Sequence, residues 1–344
     1  VIGTFGRAAW VLDDIRPLRE MANGNVTSEK LALFQPPTAY QSAYQQPTGS
    51  RFGADAMYQG ENRKRGAHIS YYLKKSKEES KKNQKEKEDT KIKNDSITLE
   101  IFDGERQIRT LKFKTPKESG VHKTTWFLRE KGVARPSRKI SKSTKEPSGA
   151  SVKPGTYRLK MTFGNEVAEQ KINVEFDPRL QISDTAINQK YNASKELESY
   201  QEKMANLVKQ LVESKNTATS IKSNLSKEDK EKYKEEIEAS TEIIKKVDTL
   251  IALYLGKVDK RQGITRNPEI TVNQRFNLAS RYIRSRFGEQ TTTETVLMNQ
   301  FKDEFKKAVS KTNSFFNKDW LTYKKGTENI IISPFKQTKI FDAN

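Results

Sequence analysis

Short runs of alternating apolar and polar residues fill the first half of the chain, and a longer period takes over in the second. From Tyr157 to Phe163, Tyr157, Leu159, Met161 and Phe163 take every second position while Arg158, Lys160 and Thr162 lie between them. That period of two is the mark of a strand in a sheet with one wet face. His68 to Leu73, Ile97 to Phe102, Ile108 to Phe113, Lys123 to Leu128 and Val167 to Phe176 are similar runs, separated by Asp103-Gly104-Glu105, Glu118-Ser119-Gly120 and Gly164-Asn165. Gly and Asn at such positions supply the backbone of tight hairpin turns. The pattern predicts an antiparallel β-sandwich over 66–179. After Asp177-Pro178-Arg179 the period becomes helical. Four amphipathic stretches follow: one begun by Ser183-Asp184, one capped by Ser226-Lys227-Glu228-Asp229 and ending at Gly256, one from Val272 to Gly288, and one capped by Thr291-x-x-Glu294. Their short links predict an antiparallel helical bundle over 180–322, with a tail over 323–344.

The N-terminal stretch reads as one more strand. Residues 1–14 alternate around Gly3 and Gly6 with Trp10 on the apolar side, and they run into Ile15-Arg16-Pro17-Leu18. A strand without neighbours leaves its backbone groups unpaired, so this one is expected to belong to sheet that precedes it. Residues 21–65 then read as a linker. Within the sandwich, immunoglobulin-like closure is expected, with Trp126 as a core anchor.

Several ordered motifs resemble one family. Gly3-Thr4-Phe5-Gly6-Arg7-x-x-Trp10-Val11-Leu12-Asp13-Asp14-Ile15 resembles the closing strand of the last blade in large bacterial sortilin-like β-propellers built from neuraminidase repeats. Phe34-Gln35-Pro36-Pro37, Tyr58-Gln59-Gly60-Glu61-Asn62, Gly66 to Leu73, Trp126 to Arg129, Pro154-Gly155-Thr156-Tyr157 and Phe176-Asp177-Pro178-Arg179 follow in the order that those proteins show. The sandwich also resembles the immunoglobulin-like module of flagellar hook-capping proteins. The resemblance implies structural roles for Gly6, Arg7, Trp10, Asp13, Trp126, Pro154, Tyr157 and Asp177. It also implies an exported protein, periplasmic, outer-membrane-associated or extracellular, with a propeller upstream in the same chain. Where relatives have Asn-Pro-Pro-x-Gly-Ala, this chain has Asn62-Arg63-Lys64-Arg65-Gly66-Ala67, which replaces a stiff entry with three cations.

Charge adds a second theme. The chain of 344 residues has a formal charge of +20, and 27 cationic against 16 acidic residues fall within 66–179. Lys74 to Asn94 holds nine Lys and five acids with Ile92 as its single apolar residue. Such a composition buries too little surface to offset its ordering entropy, so a solvated insertion is expected. Candidate anion-binding residues are Lys74, Lys75, Lys77, Lys81 and Lys82 here, Arg63, Lys64 and Arg65 at the sandwich entry, and Arg135, Arg138 and Lys139 in a second basic loop. These runs lack the aromatics and Arg forks of nucleic-acid sites, so nucleic acid is not the expected partner.

Catalytic and metal chemistry find few residue sets. The chain has no Cys, which removes thiolate catalysis and thiolate ligands, and both His residues, His68 and His122, lie outside the helical region. No stretch approaches the ~20 apolar residues of a membrane-spanning helix. Asp13 and Asp14 are adjacent on a strand, so they point to opposite faces and cannot share a substrate. The expectation is therefore a multidomain β plus α chain: closing propeller strand (1–20), linker (21–65), immunoglobulin-like sandwich (66–179, Lys-rich insertion 74–94), helical bundle (180–322) and tail (323–344). It has no cofactor and acts as a non-catalytic brace or presenter of an upstream ligand-binding propeller, with a protein or glycan partner at the cell surface. The competing expectations are the accessory part of a secreted glycan hydrolase with a sialidase-like propeller, and a basic anion- or glycan-binding module.

Overall fold

A computed structural model describes residues 2–3, 5–6, 9–42, 65–74, 96–140, 143–258 and 270–330. The chain is mixed α and β, and it divides into two compact units, 1–132 with 144–184 and 133–143 with 185–344. Among the described residues no helix is long and apolar enough to cross a membrane.

The first unit holds β1 (Ile2–Gly3), β2 (Ala9–Trp10), α1 (Arg16–Asn23), β3 (Leu31–Leu33), β4 (Ala39–Gln41), β5 (Ala67–Leu73), β6 (Ser96–Asp103), β7 (Arg106–Lys114), β8 (Gly120–Trp126), β9 (Arg129–Lys131), β10 (Ser148–Ser151), β11 (Gly155–Phe163) and β12 (Glu166–Phe176). One sheet has the order β4-β12-β11-β6-β7 and another β3-β5-β8. Alternation explains the register. Tyr157, Leu159, Met161 and Phe163 are all buried, whereas Arg158, Lys160 and Thr162 are half-exposed. Gly104 and Gly164 adopt φ 59° in the turns joining β6 to β7 and β11 to β12, a left-handed backbone that favours glycine.

Both sheets feed one core. Ile69, Tyr71 and Leu73 from β5 meet Leu99 and Ile101 from β6 and Leu159, Met161 and Ile172 from β11 and β12. Trp126 is 1% exposed and meets the Tyr157 ring edge-on at 5.4 Å. Its indole N–H donates to the Arg129 carbonyl at 3.0 Å, and the Tyr157 hydroxyl donates to the Lys153 carbonyl at 2.6 Å. Each ring thus buries its apolar body while satisfying its polar tip.

Three expectations about this half need correction. The segment 21–65 is not simply a linker: β3 pairs antiparallel with β5, and β4 pairs parallel with β12. Only three residues long, each strand falls below the length at which alternation can be read. The N-terminal stretch is not one continuous strand, because Ile2 and Gly3 pair with Trp10 and Ala9 in a short hairpin. Of the basic loop between β9 and β10, residues 133–143 group with the helical unit rather than with the sandwich.

The second unit contains α2 (Asp184–Glu228), α3 (Lys234–Leu255), α4 (Val272–Ser285), α5 (Thr292–Phe315), a π-helical turn (Phe316–Trp320) and α6 (Leu321–Thr327). Leu197, Met204, Val208 and Leu211 of α2 share a core with Val247, Ile251 and Tyr254 of α3, Phe276 of α4 and Phe301 and Phe305 of α5. Thr291 and Glu294 form the expected capping box. Thr271 and Gln274 form another before α4. The Ser226 cap is overturned: α2 runs through Ser226, whose hydroxyl donates back to the Lys222 carbonyl. The turn is held instead by Asp229, which accepts the Glu231 and Lys232 amides. The expected boundary at 322 also falls inside a helix, since α6 continues to Thr327.

Two predictions follow from the first core. Trp126→Ala should lower unfolding free energy by about 3–5 kcal/mol through the cavity left behind, measured by urea denaturation. Burial pushes the Tyr71 phenol up to about 12. The folded chain then keeps a proton that the unfolded chain releases near pH 10, so this stabilisation is intact below pH 10 and is lost as pH rises towards 12. Tyr71→Phe should flatten that part of the alkaline loss, read as urea midpoints at pH 9 and pH 11.5.

Candidate functional site

Five of the residues expected to bind anions are among the described ones, Arg65 and Lys74 in the first unit and Arg135, Arg138 and Lys139 in the second. Lys74 directs its ammonium to the Thr27 carbonyl at 3.3 Å, and Arg65 stands exposed just before β5. Arg63, Lys64, Lys75, Lys77, Lys81 and Lys82 lie outside the described residues. Arg135 and Lys139 are exposed in the β9–β10 connection. Arg138, in the same connection, donates to the carbonyl of Gly256 at the C-terminus of α3. A helix C-terminus carries unsatisfied carbonyls and partial negative charge, so a guanidinium there is a cap. Gln201 on α2 holds the start of the same strap, donating to the carbonyls of Val133 and Ala134 at 3.1 and 3.2 Å. Arg138 thus fastens this connection to the end of α3.

Other cations of the basic β unit are similarly engaged. Arg106 pairs with the buried Glu130 at 3.0 Å. Arg109, whose pKa burial lowers and the nearby Glu146 partly restores, donates to the carbonyls of Glu130, Glu146 and Pro147. Arg158 lies over the Phe102 ring at 4.2 Å and pairs with Glu169.

Of the residues given structural roles, Trp126 and Tyr157 have been described. Asp177 is 2% exposed and accepts both the Arg179 amide at 3.0 Å and its Nε at 2.8 Å, which closes the Asp177-Pro178-Arg179 turn. Pro154 is half-buried ahead of β11. Gly6 and Asp13 are exposed, and Asp14 rather than Asp13 receives the Arg16 amide at the start of α1. Trp10 lies on β2, and Arg7 is outside the described residues.

A concave site lies elsewhere, between α3 and the π-turn with α6. It encloses about 550 Å³. Lys246 and Asp319 pair at 2.5 Å, the Ser240 and Tyr323 hydroxyls meet at 2.9 Å, and Glu235, Glu236, Gly326 and Thr327 line the space as well. Numbers fall along α3 as they rise along α6, so the two walls run antiparallel. From Glu235 to Lys246 the α3 wall spans about 17 Å at 1.5 Å per residue. Burial pushes the Tyr323 phenol above its ordinary value, partly offset by its bond to Ser240, while Lys246 is raised mainly by its hydrogen bond to Asp319. The carboxylates do not converge: among the described residues no group of three His, Asp or Glu is placed to hold a metal ion.

This groove escapes sequence reasoning because its walls are about eighty residues apart in the chain and meet through helical phase. The available signals were Glu235, Ala239, Glu242 and Lys246 at helical spacing, and a glycine, Gly326, in an otherwise helical run. No family model, no curated protein and no solved structure matches the chain.

Arg138→Ala should cost about 1 kcal/mol in urea denaturation, since it removes a charged donor from a helix C-terminus. Arg135→Ala should change stability by less than about 0.5 kcal/mol. Retention of the protein on a heparin column should shift equally for both, because each removes one cation; a larger shift for Arg135→Ala would point to an anion site there.

Proposed function

We propose that this chain is a non-catalytic structural and interaction region that braces or presents an upstream ligand-binding β-propeller of an exported bacterial protein. The observation that carries this reading is where its most distinctive side chains direct their polar atoms. Trp126, Tyr157 and Arg138 each hydrogen-bond a backbone carbonyl of their own unit, and Asp177 accepts the backbone amide of Arg179. Groups committed in this way hold a framework in shape.

The finer architecture fits such a role. The shared core of the two sheets and the common core of α2 to α5 are what supports reading the units as an immunoglobulin-like sandwich and a helical bundle. Both are compact spacer shapes. The propeller and the export rest on the resemblance carried by the ordered motifs from Gly3 to Arg179, and the partner it implies is a protein or glycan at the cell surface.

Hydrogen exchange compares the full-length protein with residues 1–344 alone. In the full-length protein the Ile2 to Leu12 amides should exchange at least about tenfold more slowly, because a blade would then pair the edges that the short β1–β2 hairpin leaves. Equal exchange in both would defeat the propeller reading.

A further inference from the structure

The groove between α3 and α6 has a lining unlike the rest of this basic chain. It carries Glu235, Glu236, Glu242 and Asp319 against Lys246 and Lys318. Lys246 already neutralises Asp319. Glu235 and Glu236 lie in the first turn of α3, where carboxylates favour the helix dipole. Glu242 lies two turns further on and one turn before Lys246, whose charge is favoured first by Asp319 and then by Glu242, so the lining keeps an excess of carboxylates over ammonium groups.

Gly326 is the independent observation. Its φ is not among the positive glycine values, so the backbone does not require a glycine there. A Cβ at this position would meet nothing within 4 Å, so packing does not require one either. In a helix glycine costs up to about 1 kcal/mol relative to alanine. Opposite it, α3 presents the exposed Ala239, with Ile243 and Tyr323 buried at the base. Small residues on facing walls leave room for an incoming side chain.

We propose that this groove docks a lysine-bearing segment of a partner protein. Lysines have the matching chemistry: apolar four-carbon stems to lie over Ala239, Ile243 and Gly326, and ammonium groups, one for Glu235 and Glu236 and another for Glu242 about 9 Å further along α3. The dispersed carboxylates suit the spaced charges of a peptide rather than a single metal ion. Charge complementarity steers the encounter and falls with salt. This surface stands independently of the propeller reading.

The test uses residues 1–344 and a fluorescein-labelled peptide of repeated Lys-Ala-Ala-Lys units, followed by fluorescence anisotropy, with a Glu-for-Lys peptide as control. Binding of the lysine peptide should saturate. Glu242→Lys and Gly326→Leu should each weaken it about tenfold or more, one by charge and one by filling the groove, with circular dichroism unchanged. Glu202→Lys, the same charge change on an exposed face of α2, should stay within about twofold. If Gly326→Leu perturbs the helices, the comparison of Glu242→Lys with Glu202→Lys decides alone. Equal weakening by Glu242→Lys and Glu202→Lys, or no saturable binding, overturns the proposal. So does spermidine binding as tightly as the peptide, which assigns the groove to a free polyamine, or a dimer abolished by Gly326→Leu, which assigns it to a second copy.

Discussion

The edge-to-face contact between Trp126 on β8 and Tyr157 on β11 joins the three-stranded sheet to the five-stranded one, and the β unit is organised around it. An indole and a phenol can sit at such a junction because each carries a polar tip. Left without partners, those tips would each cost as much as a lost hydrogen bond. The chain answers by bending its own backbone towards them. After Trp126 it turns through Leu128, a non-glycine residue at φ 55°, to bring the Arg129 carbonyl within reach, and before β11 it brings up the Lys153 carbonyl. The loops on either side of this pair are therefore shaped by the demand of two buried donors.

Charge plays a different part from the one that its total suggests. A formal excess of +20 describes the chain's attraction for distant anions, but it does not make a site. Arg106, Arg109, Arg138, Arg158 and Arg179 all meet carboxylates, carbonyls or a ring inside their own unit. The planar guanidinium suits this work, since several donors in one fork can satisfy carbonyls that no secondary structure reaches. Within the helical unit, Glu294 shows the same economy in reverse. One carboxylate, 1% exposed, closes a capping box and accepts the Lys190 ammonium at 2.6 Å.

What the sequence made legible was whatever is decided locally. The alternation of Tyr157 to Phe163 and the Thr291-Glu294 box depend on near neighbours, and both appear where they were expected. Ser226 misled because a good capping motif can lie within a helix whose apolar stripe simply continues, as it does to the buried Leu225. Leu31–Leu33 and Ala39–Gln41 were illegible as strands because three residues hold no period, and their pairing partners lie far along the chain. The strap at 133–143 and the groove share that difficulty, since a carbonyl such as that of Gly256 leaves no trace in composition.

The π-turn at Phe316–Trp320 ties the groove to chain length. A π-turn accommodates one residue more than an α-helix would, and each residue rotates a helix by about 100°. Tyr323, which meets Ser240, follows directly on this turn, so its direction about the α6 axis includes that extra residue. Loss of one residue anywhere in the turn would let the helix run on regularly, carrying Tyr323 off its partner and Gly326 away from Ala239. The shape of this surface is thus set by a single insertion, so a change of one codon in length would erase it while every side chain that lines it remained encoded.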